Sequence, residues 1–259
     1  MPLLLIISPA KRMDVVEGPP SACSRPEFLE PATQLAHGLL ALGYDGARRV
    51  WRCSEAIARR SWAQLQTMPD DMLAGPALLS PAITSYVGIQ YQHLAPQVMN
   101  DRQIDWLRAH LRILSGMYGV LRPLDGVVPY RLEMQARLPM GASRDLYGFW
   151  SDKLARAIAP SDAGSDGQPP TPDAGCTVVN LASAEYARAV LPHLRATDRV
   201  VTCIFGEELR AGKPVQRATA SKIARGSMVR WMAERGIEDA HELKGFDIGY
   251  RYDPELSAA

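Results

Sequence analysis

The chain has 259 residues, of which 47% are apolar and 22% charged, and that balance excludes disorder over its length. Its 29 Lys and Arg residues face 28 Asp and Glu, a formal net charge of +1. This excludes a uniformly basic nucleic-acid-binding domain, so any contact to nucleic acid rests on local grouping of cations.

The apolar run Leu3 to Ile7 is too short to cross a membrane. No basic residue precedes it, so it does not read as a signal peptide either. It predicts a buried strand, Leu3 to Ser8, that Pro9 ends. Lys11 follows in Ile7-Ser8-Pro9-Ala10-Lys11. A strand end that delivers a lysine into a loop can build a site; a plain surface lysine is the alternative.

Glu27 to Leu42 predicts a helix. Gly43 to Leu65 predicts two short helices around a turn, with Arg48, Arg49, Arg52, Arg59 and Arg60 against Asp45 and Glu55. The segment resembles a helix-hairpin-helix, but Ser54, Glu55 and Ala56 stand where such a hairpin usually carries glycines. DNA contact and a merely basic surface both remain open there. Trp51, Trp62 and Tyr118 are candidates to stack on exposed bases.

Ile104 to His110 predicts a helix and Leu111 to Ser115 a strand. Leu114 to Glu133 holds too much Gly and Pro for a helix or an interior strand. Its Tyr118, Arg122, Asp125, Tyr130, Arg131 and Glu133 suit either an anion-holding loop or an ion-paired structural one.

Leu146 to Ile158 predicts an amphipathic helix. Ala159 to Gly175 carries four prolines and no large apolar residue, which predicts a flexible insert. Thr177 to Leu181 predicts a strand, with Ser183 capping the next helix. Asn180 and Glu185 flank that helix start, where free N–H groups would favour an anion. Equally, Asn180 fits a turn and Glu185 an offset to the helix dipole.

Arg199 to Phe205 predicts a strand, Gly212 a hairpin turn with a return near Pro214 to Ala218, and Ser221 to Arg235 a helix closed by Gly236. Arg210 to Arg235 holds seven basic residues against the single acid Glu234. Ala224, Met228, Trp231 and Met232 form a core-facing stripe on that helix, and Lys222 and Arg225 share one of its sides.

Cys23, Cys53, Cys176 and Cys203 and the five histidines show no metal-ligand spacing. Reduced thiols suit a cytoplasmic protein, and neither a metal nor a cofactor is expected. G-x-G-x-x-G and G-x-x-x-x-G-K-[ST] are absent, which disfavours Rossmann and P-loop readings. The expectation is one α+β domain over residues 1–259, with a short-stranded mixed sheet surrounded by helices.

Six blocks occur in order along the chain: ISPAK at Ile7 to Lys11, LRILSGMYGVLRPLD at Leu111 to Asp125, PYRLEM at Pro129 to Met134, DLYGFW at Asp145 to Trp150, VNLAS-EY at Val179 to Tyr186, and KIARG at Lys222 to Gly226. Together they resemble the YaaA family. The chain departs from it in the insert after Ala159 and at Ile223, where the family often has a second lysine.

The resemblance implies an unusual α+β fold with a basic cleft and a helix-hairpin-helix, a peroxide-stress role that keeps free intracellular iron low, and DNA binding. It implies no catalytic activity. The resulting expectation is largely non-specific binding of double-stranded or distorted DNA through Lys11, Arg48, Arg49, Arg52, Arg59, Arg60, Arg122, Arg131, Asn180, Lys222 and Arg225. The alternative is an enzyme acting on a small anionic or nucleotide-like substrate in the same cleft. Two carboxylates in a basic setting suit proton transfer, so its candidates are Lys11, Tyr118, Arg131, Glu133 and Glu185. No protein partner is indicated.

Overall fold

The run Leu3–Ile7 forms β1, and all five of its residues are buried. Successive strand side chains point to opposite faces, so both faces of the sheet are covered at its centre. A computed structural model describes residues 1–73, 75, 78–159 and 175–257.

β2 (Arg12–Met13) precedes three helices, α1 (Leu29–Ala41), α2 (Gly43–Trp51) and α3 (Glu55–Asp71). The short elements β3 (Ser80–Pro81), α4 (Ala82–Ser85), β4 (Tyr86–Val87) and α5 (Ile89–Leu94) lead to α6 (Asp101–His110). Then come β5 (Leu111–Ser115), β6 (Gly119–Leu121), β7 (Gly126–Val127), α7 (Leu146–Trp150) and α8 (Lys153–Ile158). The chain continues through β8 (Thr177–Asn180), α9 (Ala184–Ala187), β9 (Arg199–Thr202), β10 (Glu208–Arg210), β11 (Lys213–Val215) and α10 (Ala218–Arg235).

The main sheet has the order β6-β5-β1-β8-β9. β5, β1, β8 and β9 are parallel, and β6 is antiparallel to β5. This is the mixed, short-stranded sheet among helices that the sequence predicts. From β1 the chain goes to β5 on one side and returns as β8 on the other. β1 and β8 therefore form a topological switch point, where ligands enter open parallel sheets outside the carboxyl ends of the strands.

Several local readings change. Leu146 to Ile158 is two helices, because Ser151 takes φ 48° and breaks the ladder between α7 and α8. The second helix of the basic segment is long, running through Pro69 to Asp71. The turn before it is made by Arg52, which is left-handed at φ 46°. β9 stops at Thr202, and α10 starts three residues early at Ala218. Its stripe of Ala224, Met228, Trp231 and Met232 is buried as read. The Ala159 to Gly175 insert lies, but for its two end residues, outside the described residues.

A strap of chain, residues 128–140, crosses the carboxyl end of β5. Gly116, just past β5, makes room for it: a Cβ there would sit 2.4 Å from the Leu132 carbonyl oxygen. Leu132, Met134, Ala136 and Leu138 are buried, while Arg131, Glu133, Gln135 and Arg137 are not. The strap thus alternates, with its even residues in the core and its polar odd residues on the outside.

Candidate functional site

The site is built at the carboxyl edge of the sheet by the loops that leave β1 and β8. Ser8 Oγ accepts the Ser183 N–H at 2.8 Å and donates to Ser183 Oγ at 3.1 Å. The two exit loops are thereby pinned together. Gln90 and Tyr91 of α5 both donate to the Ser8 carbonyl, at 3.3 and 3.0 Å. Asn180 adopts the turn role: its Oδ1 accepts the Ala182 N–H at 3.0 Å, and its Nδ2 donates to Thr202 Oγ1 at 3.3 Å.

The N–H groups of Ala182 and Ser183 are thus both taken. α9 is a single turn whose N-cap Ser183 makes no capping bond. These two N–H groups are therefore not free to hold an anion.

Three of the sequence candidates meet above this pinned pair. Lys11 Nζ lies 3.0 Å from Glu133 Oε2, and Arg131 Nη2 lies 3.6 Å from Glu133 Oε1. Each oxygen of Glu133 therefore faces a cation. Glu185 reaches the same strap, its Oε1 accepting the Gln135 N–H at 3.2 Å. Burial, with the negative charge of Glu133, pushes the Glu185 carboxyl up, against the pull of Lys11 and of the Gln135 and Met134 N–H groups.

Beside this group runs a buried chain of hydroxyls. Tyr130 Oη lies 2.6 Å from Ser115 Oγ and 2.9 Å from Tyr86 Oη. Burial pushes the Tyr130 phenol up to about 12, so it stays a neutral hydrogen-bonding group.

Arg225 of α10 joins the same edge from the far side. Its guanidinium faces Cys203, whose N–H donates to the Asn180 carbonyl at 3.3 Å. Burial pushes the Cys203 thiol up to about 12, so it offers no countercharge. Lys222, one turn earlier on α10, is exposed.

Other candidates stand elsewhere. Tyr118 is fully buried, with its phenol accepting the Val128 N–H at 3.1 Å. Trp51 is also a core residue. Neither face is open for a base to stack on, which leaves the half-buried Trp62 of that trio. Arg122 follows β6, the antiparallel strand, and so leaves the sheet away from the carboxyl edge. It lines a separate cavity of about 340 Å³ with Glu27, Phe28, Lys153 and Arg156.

The basic runs are partly matched by acids. Glu55 pairs with Arg48 at 2.6 Å and Arg59 at 2.9 Å. Arg217 lies 3.2 Å from Glu207, and Arg230 lies 2.7 Å from Glu234. Glu207 and its neighbour Glu208, which faces Arg210 and Arg217 at 3.9 Å, fall just outside the run counted in the sequence.

Arg49 and Arg52 are different. They line a cavity of about 240 Å³ with Leu42, Gly46, Val50, Pro139 and a third arginine, Arg137. No acidic side chain is in its wall. Arg60, on α3, is exposed. Sequence reasoning missed Arg137, although the alternation Leu132, Met134, Ala136, Leu138 was a signal that it points outward. Ser8 was missed too; a serine at a strand end carries no signal by itself.

Among the described residues no group of three His, Cys, Asp or Glu side chains could hold a metal ion. No described helix is long and apolar enough to cross a membrane.

The family model described as peroxide stress protein YaaA matches residues 3–256. The chain belongs to the YaaA family of peroxide stress proteins. A UPF0246 protein of Desulfitobacterium hafniense is 42% identical over 254 residues, covering 98% of this chain and 94% of the relative. UPF0246 proteins of Pediococcus pentosaceus and Lactiplantibacillus plantarum are 41% and 40% identical over 256 residues. Each match covers 98% of this chain, with 94% and 96% of the two relatives. Family membership thus extends over the switch point, the strap and the arginine cavity alike, and it supports a role in the response to peroxide.

Proposed function

We propose that this YaaA-family chain serves peroxide resistance in the cytoplasm by binding double-stranded or distorted DNA with little sequence preference, and so helps to limit free intracellular iron. The observation that carries the DNA reading is the cavity beside the α2–α3 turn, where Arg49, Arg52 and Arg137 converge without an acid. Guanidinium forks match phosphate oxygens, and phosphate contacts fix position without reading sequence. The two helices around Arg52 are the segment that resembles a helix-hairpin-helix, here with a left-handed arginine in place of glycines. The iron role rests on the family resemblance; among the described residues no group of three or more His, Cys, Asp or Glu could hold a metal ion.

The test is fluorescence anisotropy of labelled duplex and bubble DNA at low and moderate salt. Binding that weakens steeply with salt and differs little between unrelated sequences supports the reading. No binding at low salt, by protein shown to be folded, removes it.

A further inference from the structure

The arginine cavity leaves the carboxyl edge of the sheet without a task, and none of its side chains is shared with that edge. The edge holds two carboxylates in unequal surroundings. Glu133 faces Lys11 on one oxygen and Arg131 on the other. Glu185 has no ion-pair partner among the described residues and is partly buried, and its carboxyl is pushed up. The charged and titratable groups around it come from several elements: Lys11 after β1, Glu133 on the strap, Tyr147 on α7 and its neighbour Tyr186 on α9. Glu133 is held by its two cations, whereas Glu185 has no cation on either oxygen among the described residues, so Glu185 is the carboxyl of the pair placed to exchange a proton.

The opposite end of the edge is cationic. Arg225 stands by Cys203, just past β9, and its Nε is buried with no hydrogen-bond partner among the described residues. A half-buried guanidinium with an unpartnered Nε and no ion pair among the described residues favours an anion beside it. β9 lies two strands from β1. Gly226, next to Arg225, packs against the Gln90 carbonyl, and Gln90 donates to the Ser8 carbonyl, so α10 reaches the β1 exit loop that leads to Lys11. Ser8, Ser183 and Asn180, which pin the loops between the two ends, make a rigid floor.

We propose that this edge is a second ligand site, for a small organic anion: Arg225 holds its phosphate or carboxylate, and Glu185 gives a proton to a basic nitrogen or oxygen of the same molecule. In that step the Glu185 O–H bond breaks, the new N–H or O–H bond forms on the ligand, and a proton from hydronium or a buffer acid in the solvent restores the carboxyl. Glu133 keeps Lys11 and Arg131 in place and does not exchange the proton.

The test uses the full chain with adenosine 5′-monophosphate as probe and inorganic phosphate beside it. Binding is followed by calorimetry between pH 5 and pH 8 and by amide NMR shifts. The expected result is saturable binding of the nucleotide, with shifts at Lys11, Glu133, Glu185 and Arg225. Arg225→Gln should weaken it at least tenfold, about one charge-assisted contact. Glu185→Gln should leave affinity at low pH and remove the pH dependence. Should either of these half-buried variants fail to fold, Lys11→Ala at its exposed position should lower affinity severalfold. Shifts confined to Arg49, Arg52 and Arg137, binding indifferent to Arg225→Gln and Lys11→Ala, or no shift with either probe would each overturn the proposal. DNA binding can fail without touching any of these outcomes, because the variants are separate.

Discussion

Replacing Arg49, Arg52 and Arg137 together by glutamine tests whether their cavity holds DNA phosphate. Glutamine keeps much of the side-chain length and removes the charge. The three side chains are exposed, so the fold should survive with a loss within about 1 kcal/mol. Each phosphate neutralised on B-DNA contributes about 0.9 to the slope of log K against log salt. Three such contacts contribute about 2.7, or about 40-fold in affinity between roughly 50 and roughly 200 mM salt. The triple variant should therefore lose about 2.7 from the wild-type slope. Arg48→Gln should remove much less, because Glu55 already matches that charge at 2.6 Å. The assay is anisotropy of one labelled duplex over a salt series, with thermal unfolding as the control for folding. An unchanged slope in a folded triple variant would refute the assignment of phosphate to this cavity.

Arg52→Gly should both weaken DNA binding and stabilise the chain, by about 0.5–1 kcal/mol in urea unfolding, since φ is 46° there and glycine adopts it without strain. Asp198 is enclosed by Arg195 and the Cys176 N–H between β8 and β9; burial pushes its carboxyl up, but these donors outweigh that and hold it at about 2. The stability it supplies is present above the ordinary carboxylate range and fades as pH falls from about 4 through its folded value. Asp198→Ala should cost about 1–2 kcal/mol at neutral pH, because it leaves the Cys176 N–H without its acceptor and Arg195 without its ion pair, and should flatten the acid limb of a stability–pH curve.

What the sequence revealed follows the reach of each signal. β1, β5 and β8 were legible because a strand buried on both faces is a plain apolar run, and Leu3–Ile7 is one. The break at Ser151 was not, since a serine with positive φ is imposed by its surroundings and has no local code. Tyr118, between two glycines and near several charges, reads as an exposed loop residue; packing against Tyr130 puts it in the core. Lys11, Glu133 and Glu185 were each marked on local grounds. That they meet depends on the parallel register of Ile6 with Asn180 and on a strap that Gly116 admits, both non-local facts. The basic runs misled in the other direction. A window counts charges along the chain, whereas Glu207 answers Arg217 across a hairpin.

Gly116 is where these non-local facts can be tested together. The strap brings Arg131 and Glu133 to the sheet edge and, a few residues on, Arg137 to the arginine cavity. In Gly116→Ala the new methyl would meet the Leu132 carbonyl oxygen at 2.4 Å and the Glu133 carbonyl carbon at 3.0 Å. Both are backbone atoms, so the strap itself must move. The expected cost is about 1–3 kcal/mol, the usual range for overpacking. A displaced strap takes the Glu133 charge and the covering backbone away from Glu185. Burial, the largest cause, and the Glu133 charge had pushed that carboxyl up and outweigh the Gln135 and Met134 N–H groups that leave with the strap, so its titration should move down towards the ordinary range in a carboxyl-resolved NMR experiment. Stability gains the sign of the lost shift. A raised folded value lowers stability as pH climbs through it, so the variant should show a weaker decline between about pH 4 and neutrality. DNA binding should weaken as well, because Arg137 leaves its place beside Arg49 and Arg52. A folded Gly116→Ala protein with wild-type Glu185 titration and wild-type DNA affinity would mean that the strap does not position either site.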